Sequence, residues 1–89
     1  MVIIDVRTKP EFDDGHVDGA LWFDIDRLVR GELPDVPKDE ELVLYCRSGA
    51  RSTAAAHILT DNGFTNVSSG GGLAQMAMRG HKIVRQASA

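Results

Sequence analysis

A single cysteine, Cys46, is present in the 89-residue chain, so an internal disulfide and a cysteine-based zinc site are both excluded. Long apolar runs are also missing. The longest, Leu42–Cys46, spans five residues, whereas a helix crossing a membrane needs about 20. The start lacks the basic stretch and extended apolar core of a secretory signal, because Met1 leads straight into Val2-Ile3-Ile4-Asp5. The chain as given therefore reads as cytoplasmic, or periplasmic if a signal peptide has been removed. Repeats, linkers and low-complexity tracts are absent. Acids are nearly missing from one half: residues 46–89 hold one acid, Asp61, and five bases, while residues 1–45 hold twelve acids and five bases. The halves carry +4 and −7, for a total of −3. The overall sign speaks against nucleic acid as a partner, and the positive half, which contains the thiol, favours small anions.

What is present describes a folded domain. Apolar residues make up 43% and charged residues 26%, close to an average globular chain, and this length supports one small core and a single domain over 1–89. Val2-Ile3-Ile4-Asp5-Val6 is a β-branched run without polar alternation, as expected of a buried parallel strand. Pro10 can start a short helix through Glu11, Phe12 and Asp13 that ends at Gly15. Residues 19–23 form a second short apolar run. Ile25, Leu28 and Val29 then fall at helical spacing before Gly31, and Pro34 and Pro37 mark an exposed connection. Residues 41–46 carry the strongest strand signal. Residues 52–62 read as a helix, alanine-rich with Ala55, Ile58 and Leu59 on one stripe and Gly63 as its cap. A weaker strand over 66–69, the run Gly70-Gly71-Gly72, a short helix through Leu73, Met76 and Ala77, and a last strand within 81–85 complete the pattern. The alternation predicts an α/β fold with a small, open, mainly parallel sheet flanked by helices.

The segment Cys46-Arg47-Ser48-Gly49-Ala50-Arg51-Ser52 joins the strongest strand to the clearest helix. Ligands of open α/β sheets bind at the carboxyl ends of strands. With Gly49 free to take positive φ, successive N–H groups can curl into an anion-binding nest backed by the helix N-terminus. A thiol in that setting, with Arg47 and Arg51 beside it, is expected to ionise far below its free value of about 8.5 and to act as a nucleophile without a separate base. A small cysteine ending a core strand is the structural alternative. His16 falls in a Gly-His-Val turn, His57 on a helix and His81 near the end, so none is read as a general base. The triple glycine lacks the lysine and serine of a P-loop and is read as tight backbone packing.

The loop resembles the active-site loop of the rhodanese (thiosulfate sulfurtransferase) domain: cysteine, two variable residues, glycine, one more residue, then arginine. Asp5-Val6-Arg7, Glu11-Phe12, Gly15-His16-Val17-Asp18-Gly19-Ala20, Gly71-Gly72 and Gly80 resemble the family's other signature positions in order and spacing. The fold this implies is a rhodanese-like domain that lacks the usual first strand and helix, as in the short, single-domain phage-shock-protein E type. Two positions depart from the pattern, Met76 where a tryptophan is common and Asp24 where a proline is. The resemblance implies a cycle without cofactor or metal, in which Cys46 takes a sulfur from thiosulfate and passes it as a persulfide to cyanide or a thiol, a thioredoxin-like protein among the thiol acceptors. Amides of Arg47, Ser48, Gly49, Ala50, Arg51 and Ser52 would hold the anion. Arg51 would either bind substrate or brace the loop by pairing with Glu11 or Asp5, Arg47 would face solvent and attract donor anions, and Asp5, Arg7 and Glu11 would support the loop. The expected state is a monomer that associates weakly at high concentration. Alternatives are a non-enzymatic interaction module, a persulfide carrier, and a phosphatase or arsenate reductase. The last two share an anion-cradling cysteine loop but place arginine six residues after cysteine, where Arg51 follows Cys46 by five.

Overall fold

The computed structural model describes residues 1–85, and residues 86–89 of the expected domain lie outside the described residues. Ten elements follow one another: β1 (Val2–Asp5), α1 (Lys9–Asp14), β2 (His16–Val17), β3 (Leu21–Trp22), α2 (Ile25–Val29), β4 (Leu42–Cys46), α3 (Ala50–Asp61), β5 (Val67–Gly72), α4 (Leu73–Met78) and β6 (Ile83–Val84). β3, β1, β4 and β5 form a parallel sheet in that order, with Ile4 opposite Leu21 and Leu44, and Leu44 opposite Ser69. A register shift between Leu44 and Cys46 brings Cys46 opposite Gly72. The predicted α/β class with a mainly parallel sheet is what the chain adopts.

The continuous apolar runs have the physical cause inferred for them. Side chains alternate across a strand, so β4 sends Leu42, Leu44 and Cys46 into one core with Ile4, Val6, Leu28, Ala55, Leu59 and Phe64. Tyr45 enters a second core with Val17 and Met76, against which Ile3, Val43, Leu73 and Ile83 pack. Both faces of the two central strands are covered, which leaves no polar alternation to be seen. The helix after the loop buries Ala55 and Leu59 with Ile58 partly buried, and Gly63 takes φ 93° beyond its end.

Several local expectations need correction. The helix over 52–62 starts earlier, at Ala50, because Gly49 already takes the capping position, which draws Arg51 into its first turn. Val29 is 69% exposed, since the five-residue α2 is too short to bury a third apolar position. Pro34 is buried rather than part of an exposed connection. The triple glycine lies inside β5, not after it. The Gly-His-Val segment is a strand, β2, paired antiparallel with β6 in a second small sheet. A two-residue strand is too short to show a period.

Candidate functional site

The end of β4 delivers Cys46 to the start of α3, and the three residues between are bent by Gly49 at φ 102°. Only glycine adopts that conformation without strain. The bend turns the Gly49 N–H back onto Cys46 Sγ at 2.9 Å, and the Ser52 hydroxyl lies 3.6 Å from the same sulfur. Burial pushes the thiol up, but the amide and hydroxyl of Ser52 and the amides of Gly49 and Ser48 favour the charged sulfur more strongly, and the net result lies below the ordinary value. Cys46 and Ser52 are fully buried, whereas Arg47, Ser48 and Ala50 on the outer side of the loop are exposed. Hydrogen bonds therefore account for the lowered thiol more than the two arginines do.

Arg51 is engaged elsewhere. Its guanidinium donates to both Glu11 oxygens, at 2.7 and 2.9 Å. That two-pronged bond, partly opposed by burial and joined by the amide and hydroxyl of Thr8, holds the Glu11 carboxyl down at about 2. Of the two partners considered for Arg51, Glu11 is the one in contact. Asp5 instead accepts from the Arg7 amide at 2.9 Å and pairs with the Arg7 guanidinium at 2.7 Å, both side chains being buried, and Arg7 donates onward to the Gly15 carbonyl at 2.5 Å. Among the described residues neither Asp5 nor Arg7 hydrogen-bonds to the 46–52 loop. They brace the turn from β1 into α1, and only Glu11 carries that support to the loop. Arg47 faces a cleft of 360 Å³ that Arg7, Glu11, Asp14, Gly15, Leu73 and Ala74 also line. His16 binds the Phe12 carbonyl through Nδ1 at 2.8 Å and stacks on the Phe12 ring, so it serves packing.

Cys46 ends a core strand, yet its sulfur faces loop amides and the start of a helix, an arrangement that favours a thiolate. The family model for the rhodanese-like domain matches residues 1–76. The chain belongs to the rhodanese-like sulfurtransferase family. This rhodanese-like chain is 35% identical over 85 residues to a sulfurtransferase of Allochromatium vinosum, covering 94% of itself and 78% of that protein. It is 34% identical over 76 residues to the thiosulfate sulfurtransferase PspE of Escherichia coli, covering 84% of itself and 73% of the relative. An E. coli rhodanese solved with anions superposes with a TM-score of 0.77 at 30% identity, over 94% of this chain and 96% of the other.

Sequence reasoning missed the residues that close the rhodanese-like loop from behind. Ser52 Oγ lies 2.7 Å from Ser69 Oγ on β5, and the Gly71 amide donates to Ser69 Oγ at 3.2 Å. The Gly72 amide is capped by Gln75 Oε1 at 2.9 Å, and a Cβ at Gly72 would run into the Arg47 carbonyl. The glycine run did signal close backbone approach. Ser69 gave no signal, being a polar residue on a strand with an ordinary surface pattern.

Proposed function

We propose that the protein moves the sulfane sulfur of thiosulfate, or of a related donor, through a persulfide on Cys46 to cyanide or a thiol acceptor, which a thioredoxin-like protein can supply. The observation that carries this reading is the Gly49 amide at 2.9 Å from a thiol held below its ordinary pKa. The Cys46 thiolate attacks the outer sulfur of thiosulfate. A new S–S bond forms as the old one breaks, and sulfite leaves with the bonding pair. Amides of the loop neutralise the charge on the terminal sulfur, and the exposed Arg47 draws the donor anion toward the cleft. Cyanide or a thiolate then attacks the terminal sulfur, and the Cys46 thiolate departs as leaving group. A lowered thiol pKa serves both halves of the cycle, as nucleophile and as leaving group. Two points support this over phosphate chemistry: the Arg51 guanidinium is taken up by Glu11, and the Cys46–Arg51 interval is one residue shorter than in phosphate-cradling loops.

Exposure to thiosulfate should raise the intact mass by one sulfur atom, and cyanide or dithiothreitol should reverse it. Cys46→Ser protein should show neither change. Thiosulfate turnover by that variant would sink the assignment.

A further inference from the structure

The Ser52 hydroxyl has one proton and four oxygen or sulfur neighbours. Besides Cys46 Sγ, these are the Gly49 carbonyl at 3.1 Å, the Gly71 carbonyl at 3.3 Å and Ser69 Oγ at 2.7 Å. For the hydroxyl to stabilise a thiolate, its proton must point at sulfur, and the shortest contact it makes is the one to Ser69. The outcome depends on which serine donates across that 2.7 Å contact.

The Gly71 amide favours one direction. This N–H donates to Ser69 Oγ at 3.2 Å and takes one of that oxygen's two lone pairs, while the acceptor within reach of the Ser69 proton among the described residues is Ser52 Oγ at 2.7 Å. Ser52 Oγ then accepts from Ser69, and its own proton is left to the Gly49 carbonyl, the Gly71 carbonyl and Cys46 Sγ, of which a charged thiolate is the strongest acceptor. The order of donation runs from the Gly71 amide to Ser69, from Ser69 to Ser52, and from Ser52 to the Cys46 thiolate. Each bond polarises the next. No proton is transferred along the chain, which acts as a row of fixed donors. Ser69 stands on β5 beside the β4 strand that carries Cys46, paired with Leu44, so the sheet fixes the distance. Its outer side is exposed, so its hydroxyl is not required to fill a core.

We propose that Ser69 is a positioning residue for the Cys46 thiolate: it orients the Ser52 hydroxyl toward sulfur and thereby sets how readily the nucleophile ionises. The proposal rests on Cys46 being the thiolate nucleophile, and its test reads ionisation without any sulfur donor. With one cysteine in the chain and the Tyr45 phenol raised by burial, the ultraviolet absorbance of the thiolate can be followed against pH in intact protein. Ser69→Ala should raise the Cys46 midpoint by about half a pH unit, the scale of losing one neutral hydrogen bond acting through an intermediary. Ser69→Thr keeps the hydroxyl on a strand that accepts β-branched residues and should retain the wild-type midpoint. Thermal unfolding should be unaltered in both, and thiosulfate turnover below the midpoint should fall about threefold in Ser69→Ala, following the thiolate fraction. An unshifted midpoint in Ser69→Ala, or equal shifts in both variants, overturns the role of Ser69. A wild-type midpoint at the ordinary thiol value has a different signature and removes the thiolate reading of Cys46 together with this one.

Discussion

Glu11 shows how one side chain carries support from α1 to the loop that follows Cys46. It sits in the first turn of α1, where the Thr8 amide and hydroxyl converge on one of its oxygens, and both of its oxygens receive the Arg51 guanidinium. A carboxyl lowered from 4.5 to about 2 is more acidic folded than unfolded. Its contribution to stability is therefore fully present above about pH 4.5 and is lost as pH falls toward 2. The Arg51 side chain is 35% exposed and that of Glu11 22%, so solvent screens the pair, and about 1 kcal/mol is the scale to expect. Melting temperatures of wild-type and Glu11→Gln protein should differ by a constant amount above pH 5 and converge as the carboxyl protonates, within roughly pH 4.5 to 2. A gap that persisted at pH 2 would show that the pair is not what separates them. Glu11 and Arg51 could both be named from sequence because their residue types and places imply an ion pair. The choice between Glu11 and Asp5 could not, since it depends on where the β1–α1 turn points each carboxylate.

At the scale of elements, β1, β4 and α3 were legible because each has a length and composition that a single physical cause explains, burial on both faces for the strands and a glycine-bounded stripe for the helix. β6 falls inside the strand expected within 81–85, but β2 and its pairing with β6 were not legible, because that pairing joins residues far apart in sequence and is held by only two residues on each side. β5 was misjudged at its end, since glycine is poor in strands. Here the sheet tolerates it because neighbours occupy the space that side chains would need. At Gly70 the Met76 sulfur and Val43 stand within reach of a Cβ, and at Gly72 the Arg47 carbonyl does. The corner from β5 into α4 is thus packed backbone to backbone against the Cys46 loop. Gly72→Ala should cost about 1–3 kcal/mol as overpacking and should raise the Cys46 midpoint by displacing the loop, whereas a substitution at the open Gly63 should act through its positive φ alone. Denaturant midpoints combined with thiol titrations would distinguish the two effects. A Gly72→Ala protein with wild-type titration would show the loop to be independent of that corner.

Over the whole molecule, the radius of gyration of 12.1 Å is what a fully packed chain of this length should have, about 12 Å. That compactness is reached with Cys46 entirely covered. A reagent can meet the sulfur only while the loop is briefly lifted from it, and the observed rate is then the product of an opening equilibrium and the rate at the uncovered atom. Small anions need little lifting and bulky disulfides need much. An aromatic disulfide should therefore react with Cys46 far more slowly, relative to iodoacetamide, than it does with the same thiol in unfolded protein, and mild denaturant should narrow the gap before global unfolding begins. A ratio equal in folded and unfolded protein would mean that the cover offers no discrimination. On the proposed cycle, a persulfide made beneath such a cover would have its lifetime set by the frequency of loop opening, and the fold would act as a timer on stored sulfur, keeping it from chance thiols for as long as the loop stays down.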